Sequence, residues 1–215
     1  SFDARAVGMG MNVGAVFDGW HLYFCAYGHA RIVRFDTSGE FTDPKCWESH
    51  EAGETDGLAT TGFDGGFFDG RFVYFQPFFL RDGVTSGRGP KFHSHYLRYD
   101  PSRPFGDAAS WQSYDASMTD GLPSVGYNGG AFDGRYIYFN PRDDGRTHHS
   151  RLLRYDTQAG FKDPAAWQAY DIALPHSGQG LAFDGQYLSF CPGYPQAPHA
   201  DPANLSGMGL SDSID

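Results

Sequence analysis

The sequence predicts an all-β fold: a four-bladed β-propeller of four-stranded antiparallel blades. Three observations carry this. The triplet Phe-Asp-Gly recurs at Phe17-Asp18-Gly19, Phe68-Asp69-Gly70, Phe132-Asp133-Gly134 and Phe183-Asp184-Gly185. Each leads into an alternating aromatic run, Trp20 to Phe24, Arg71 to Phe75, Arg135 to Phe139 and Gln186 to Phe190. Then an Arg-aromatic-Asp triplet recurs at Arg34-Phe35-Asp36, Arg98-Tyr99-Asp100 and Arg154-Tyr155-Asp156, with a Trp eleven residues after each Asp, at Trp47, Trp111 and Trp167. Self-similarity on this scale marks a repeat architecture, and four-stranded units of about fifty residues are propeller blades.

The elements follow in order within a repeat. The first strand is Gly-rich, as in Tyr127 to Phe132, which suits innermost strands crowding an axis. Asp-Gly supplies a tight hairpin turn. The aromatic run is the second strand, its period of two placing alternate rings between blades. Arg-aromatic-Asp lies on the third, and Arg34, Arg98 and Arg154 are expected to pair with Asp of the same blade. Asp43-Pro44, Asp107-Ala108 and Asp163-Pro164 open a short capped turn before the Trp, which starts the fourth strand. The repeats fall at about residues 7–52, 53–117, 118–173 and 174–215 plus 1–6, within a single domain over 1–215.

The ends bear on closure. Ser1-Phe2-Asp3-Ala4 resembles Ser113-Tyr114-Asp115-Ala116, a fourth strand with no blade before it. The last repeat has its first two strands from Gln179 but no Arg-aromatic-Asp and no Trp. The N-terminal strand is therefore expected to close the ring in the last blade, leaving no free edge there. No leader is legible, and a start at Ser1 leaves upstream repeats open.

Gly65-Gly66 and Gly129-Gly130, each followed by a hairpin and then by Tyr99…Trp111 or Tyr155…Trp167, resemble kelch repeats, with longer Tyr-to-Trp gaps. The resemblance implies a propeller and no particular function.

Composition excludes some classes. A formal charge of −10 without a Lys/Arg cluster disfavours nucleic acid. No stretch approaches eighteen consecutive apolar residues, so no membrane-spanning helix is expected. Cys25 and Cys191 share a repeat position and are expected as buried thiols rather than a bridge. The serine-hydrolase elbow, the zinc-protease His pair, the Walker motif and paired Cys-x-x-Cys are all missing from the sequence.

Function is expected on the face formed by the loops between second and third strands, the most variable segments. Five residues before each Arg stand His29, His93 and His149, with His199 in the equivalent region of the last repeat. Four imidazoles around an axis suit a divalent transition metal, Fe, Cu, Zn or Ni. In ligand type this is similar to the four-His iron of carotenoid cleavage oxygenases, without a sequence match. His95 and His148 are candidate substitute ligands or ligand-contacting groups, and His176 a candidate acid/base group. The competing explanation is local: a His opening a strand hydrogen-bonds a neighbouring loop such as Thr55-Asp56-Gly57 or Thr119-Asp120-Gly121.

A second set, Asn12, Asp64, Asn128 and Gln179, is expected at the channel mouth, binding a polar ligand or plugging the channel with hydrogen bonds. The sequence thus points to a small-molecule-binding propeller with a His-ring metal centre, serving a metal-dependent enzyme. The alternative is a non-catalytic glycan- or protein-binding propeller presenting Phe78, Phe79 and Phe92; the same long loop, with Arg81, Arg88 and Lys91, would otherwise act as a lid. A purely structural module is the third possibility.

Overall fold

The computed structural model describes residues 2–80 and 91–196. All regular structure among them is β-strand or single-turn 3-10 helix. The first sheet contains β1 (Asn12–Phe17), β2 (His21–Ala26), β3 (Arg31–Asp36) and β4 (Trp47–Glu51), hydrogen-bonded in that order. A short pair follows, β5 (Glu54–Thr55) and β6 (Leu58–Ala59). The second sheet contains β7 (Phe63–Phe68), β8 (Val73–Pro77), β11 (His95–Tyr99) and β12 (Trp111–Asp115); β9 (Phe79–Leu80) and β10 (Lys91–Phe92) form a separate pair between its second and third strands. The third sheet is β13 (Tyr127–Phe132), β14 (Tyr136–Pro141), β15 (Arg151–Asp156) and β16 (Trp167–Asp171). The last unit is a hairpin, β17 (His176–Phe183) with β18 (Leu188–Pro195). All pairings are antiparallel. The innermost strands lie side by side, β1 next to β7, β7 next to β13 and β13 next to β17, so the sheets stack face against face like successive blades.

The Phe-Asp-Gly turn works as one device. Asp18 Oδ1 accepts from the Trp20 and His21 amides at 2.8 and 2.7 Å, and Oδ2 accepts from the Tyr23 hydroxyl at 2.6 Å. Asp69 and Asp133 repeat this with Tyr74 and Tyr138. Gly19, Gly70, Gly134 and Gly185 take φ of +92 to +101°, conformations that favour glycine.

The Gly-rich first strands have a different cause. In each four-stranded sheet the register between first and second strands jumps: Asn12↔Ala26 to Ala15↔Phe24, Phe63↔Pro77 to Gly66↔Phe75, and Tyr127↔Pro141 to Gly130↔Phe139. Two residues there oppose one, a bulge whose second residue is Gly14, Gly65 or Gly129 at positive φ. A bulge bends the strand and re-aims its side chains at the loop end of the sheet.

The aromatic runs pack between sheets as expected. Tyr23 meets Tyr99 and Phe105 of the second sheet at 5.7 and 6.1 Å, and Tyr74 meets Tyr155 and Phe161 of the third at 5.7 and 6.0 Å. Asp43, Asp107 and Asp163 cap their 3-10 turns, each accepting from the amide two residues on. The Arg residues depart from expectation. Arg34 pairs with Glu48, Arg98 with Gln112 and Arg154 with Gln168, because these are direct cross-strand neighbours while the triplet Asp residues point to the next turn.

Closure by an N-terminal strand is not seen. Ala4–Val7 is a 3-10 turn capped by Asp3, and among the described residues β18 pairs with β17 alone. The packing place is nevertheless that of an outer strand. Phe2 stacks on Trp47 at 4.9 Å, as His50 stacks on Trp111 at 4.5 Å and Tyr114 on Trp167 at 5.0 Å. Asp3 accepts from the amide two residues on, as Asp115 and Asp171 do at the ends of β12 and β16. A strand needs a neighbouring ladder, and no described strand runs beside Phe2.

The cysteines are unbridged. Cys25 is buried as expected, but Cys191 is exposed, because no described sheet lies beyond β18 to cover it as β7 covers β2.

Candidate functional site at the loop end of the inner strands

His29, His93 and His149 do occupy one repeated position, and the reason is local. Each Nδ1 accepts from the amide two residues on: Arg31 at 3.2 Å, His95 at 3.3 Å and Arg151 at 3.2 Å. The other nitrogen, Nε2, then carries the proton. It donates from His93 to the Thr61 carbonyl at 3.0 Å and from His149 to the Val125 carbonyl at 2.9 Å. His29 Nε2 is buried without a protein partner. The His93 and His149 rings thereby tether the start of the third strand to the segment entering the first strand of their own sheets. A metal needs a free imidazole lone pair; in His93 and His149 both ring nitrogens are engaged with backbone groups. Burial depresses the His149 pKa to about 4, with Arg151 contributing and the Val125 carbonyl opposing. Burial also lowers His29. Among the described residues no three His, Cys, Asp or Glu side chains are grouped to hold a metal ion. His199 lies outside the described residues.

The remaining histidines are dispersed. His95 Nδ1 meets the Ala59 carbonyl at 2.8 Å. His148 lies 3.1 Å from Asp143 and stacks on Tyr194 at 4.9 Å. His176 Nδ1 meets the Ser177 carbonyl at 3.0 Å on β17. The expected loop partners of the His are engaged elsewhere: Asp56 accepts from the Ser113 amide and Asp120 from the Ala169 amide, strapping each loop over its own outer strand. Phe78 is buried and packs against Phe79 and Phe92, so these rings form a small core rather than a contact patch. Arg81, Arg88 and the Lys91 side chain lie outside the described residues.

Three of the second set share a register position and one does not. Asp64 and Asn128 are the first residues of their bulges, and Gln179 matches them in the last hairpin. Asn12 does not. The register gives that place in the first sheet to Val13, and Asn12 instead donates to the Gly10 carbonyl at 2.7 Å. The sequence match failed by one residue because Phe17 and Asn12 are five apart where Phe68 and Asp64 are four.

Opposite the bulges stand Cys25, Gln76 and Asn140, a position at which the sequence singled out only the cysteines. All three have zero exposure. Cys25 faces the second sheet's bulge: burial raises its thiol pKa to about 12, the Asp64 charge adds to this, and the Gly65 backbone opposes it. Asn140 faces the last hairpin, where a Cβ on Gly178 would overlap its amide; its Nδ2 donates to the Asn128 carbonyl at 3.0 Å and its Oδ1 has no protein partner. By the same register Gln76 stands between the second and third bulges, and neither its Oε1 nor its Nε2 has a protein partner. Buried amides are normally paired, so three unpaired atoms in one layer are exceptional. Asp64 adds a nearly buried carboxyl whose pKa burial raises, against the lowering effect of Arg142. Arg142 reaches from the third sheet toward Tyr194, 5.9 Å from its ring. The layer therefore groups buried amide donors and acceptors and a carboxyl at the loop end, with Arg142 near both Asp64 and the stacked pair Tyr194 and His148. The missed signal was an amide residue straight after two of the four aromatic runs, at Phe75-Gln76 and Phe139-Asn140.

No family model and no curated protein matches the sequence. Among solved structures the chain is similar to the β-propeller domain of Cps50 (Swd1) from Myceliophteria thermophila, with 12% identity and a TM-score of 0.48 over 85% of this chain. The chain spans about half the length of that structure, 50%.

Proposed function

We propose that this chain is a four-bladed propeller-type binding module that takes a small, neutral, hydroxyl-rich molecule, a polyol or monosaccharide, at the loop end of its inner strands. The observation that carries the reading is Gln76, fully buried with both amide atoms unpartnered. A hydroxyl both donates and accepts, so one such group meets the Gln76 carbonyl and another its amino group. The neighbouring Asn140 Oδ1 calls for a further donor. Asp64 and Arg142 offset one another, which favours an uncharged ligand over an ion. Tyr194 and His148, stacked on one another beside Arg142, offer ring surface to a sugar face.

The test is calorimetric titration with glucose, galactose, myo-inositol and glycerol, alongside calcium and potassium chlorides. Saturable binding of one polyol, lost in Gln76→Leu and retained in His93→Gln, supports the reading. Binding of a cation alone, or of nothing in the millimolar range, refutes it.

A further inference from the structure

Successive sheets are joined by a repeated lock. Arg34 lies 4.5 Å over the Phe105 ring of the second sheet and donates to the Tyr99 hydroxyl at 3.1 Å. Arg98 lies 4.7 Å over Phe161 of the third. Beside each Arg a tyrosine, Tyr23 or Tyr74, packs on the same incoming Tyr and Phe. Further out His50 and Tyr114 stack on the incoming Trp111 and Trp167. Each sheet thus presents Tyr, Arg and an outer ring, and receives Tyr, Phe and Trp from the next sheet's outer half.

The third sheet presents the same set, Tyr138, Arg154 and Tyr170, in the same register. Among the described residues nothing receives it. Arg154 lies over Tyr136 of its own sheet at 4.3 Å, as Arg98 lies over Phe72 at 4.1 Å, but no described ring of a next sheet meets it, and Tyr170 is 70% exposed. The three residues line an open cleft of about 450 Å³ with Leu152 and Gln168. β17 packs against β13 and β14 and covers only the inner half of this face.

We infer that the outer face of the third sheet is a docking surface for an antiparallel strand pair of this same repeat type. The pair carries a Tyr, a Phe six residues later and a Trp six beyond that, the spacing of Tyr99, Phe105 and Trp111. Its first strand adds to the edge of β18, its Phe slides under Arg154, and its Trp stacks on Tyr170. The pair comes from outside these 215 residues. Residues 81–90 and 197–215 contain no Phe, Tyr or Trp. A second copy is a poor source, because its Tyr99, Phe105, Trp111 and Tyr155, Phe161, Trp167 sets are already buried. Its first sheet has Phe35 where the lock needs a tyrosine, and Phe2 already covers Trp47.

The test appends a second copy of residues 148–173 after Asp215, leaving the whole chain intact. The docking surface predicts a raised urea midpoint and slowed amide exchange along β18. It also predicts that Arg154→Ala shifts the unfolding equilibrium of the extended chain about fivefold more than that of the parent, the scale of one cation over a ring. Replacing the appended copy of Phe161 by Ala should erase the added sensitivity. An appended segment that exchanges freely, with Arg154→Ala costing the same in both chains, overturns the inference. So does a concentration-dependent dimer of the parent chain abolished by Arg154→Ala, which would give the face to a second copy.

Discussion

Gln76 and Asn140 stand at the same register position of consecutive sheets, and each buries an amide oxygen that no protein group meets. A buried polar atom left unpaired costs about 1–3 kcal/mol. Gln76→Leu removes two such atoms at similar volume. The ligand-free variant should therefore be more stable than the parent by about 1–3 kcal/mol in urea unfolding. A loss of stability on that substitution would mean the amide is already satisfied.

Asp64 gives a pH-dependent counterpart. Burial raises its folded pKa, so the folded state holds its proton above the pH at which the unfolded chain releases it. Its contribution to stability is fully present below the unfolded value of 3.8 and declines as pH rises through the folded value. Asp64→Asn should thus stabilise the ligand-free chain at pH 7 and bring no gain at pH 3. Denaturant midpoints at the two pH values read this directly.

His149 behaves in the opposite sense. Its folded pKa of about 4 lies below the ordinary 6.5, so the unfolded chain binds the extra proton between the two. Its stabilising contribution is complete above pH 6.5 and falls away as pH drops toward 4, by about 3 kcal/mol in total. In His149→Gln the stability curve should be flatter across that window by about one proton. Urea unfolding at pH 7, 5.5 and 4.5 checks it; an unchanged slope would place the titration elsewhere.

Phe41 and Phe105 follow their triplet Asp by the same five residues, yet Phe41 is 52% exposed and Phe105 1%. The difference is the incoming Arg34 and Tyr23, which cover Phe105 and have no counterpart over Phe41. Phe105→Ala should cost about 3–5 kcal/mol and Phe41→Ala about 1 kcal/mol or less. Equal costs in thermal unfolding would contradict the lock between sheets.

Residues acting through their own turn or strand were legible in the sequence. Phe-Asp-Gly encodes a complete turn, and Asp43, Asp107 and Asp163 encode their caps, because donor and acceptor lie within a few residues. Properties set by the neighbouring sheet were not. Arg34 and Arg98 are placed by rings 63 to 71 residues downstream in the chain. The repeat of His29, His93 and His149 was legible, but the carbonyls that His93 and His149 meet were not, since a tether to a carbonyl leaves no trace in residue type. Asn12 was misplaced because a bulge hides a one-residue offset. Gln76 and Asn140 were overlooked because the matched position carries cysteine in the first and last repeats, so identity drew attention to Cys25 and Cys191 alone.

The central claim is that the Gln76 layer holds a ligand. The direct measurement is a high-resolution crystal structure of the chain soaked in the polyol that binds most tightly by calorimetry. The account predicts one molecule with hydroxyl oxygens at hydrogen-bond distance from Gln76 Oε1 and Nε2 and from Asn140 Oδ1. Ordered water alone at those three atoms, with the polyol bound elsewhere or not at all, would contradict it.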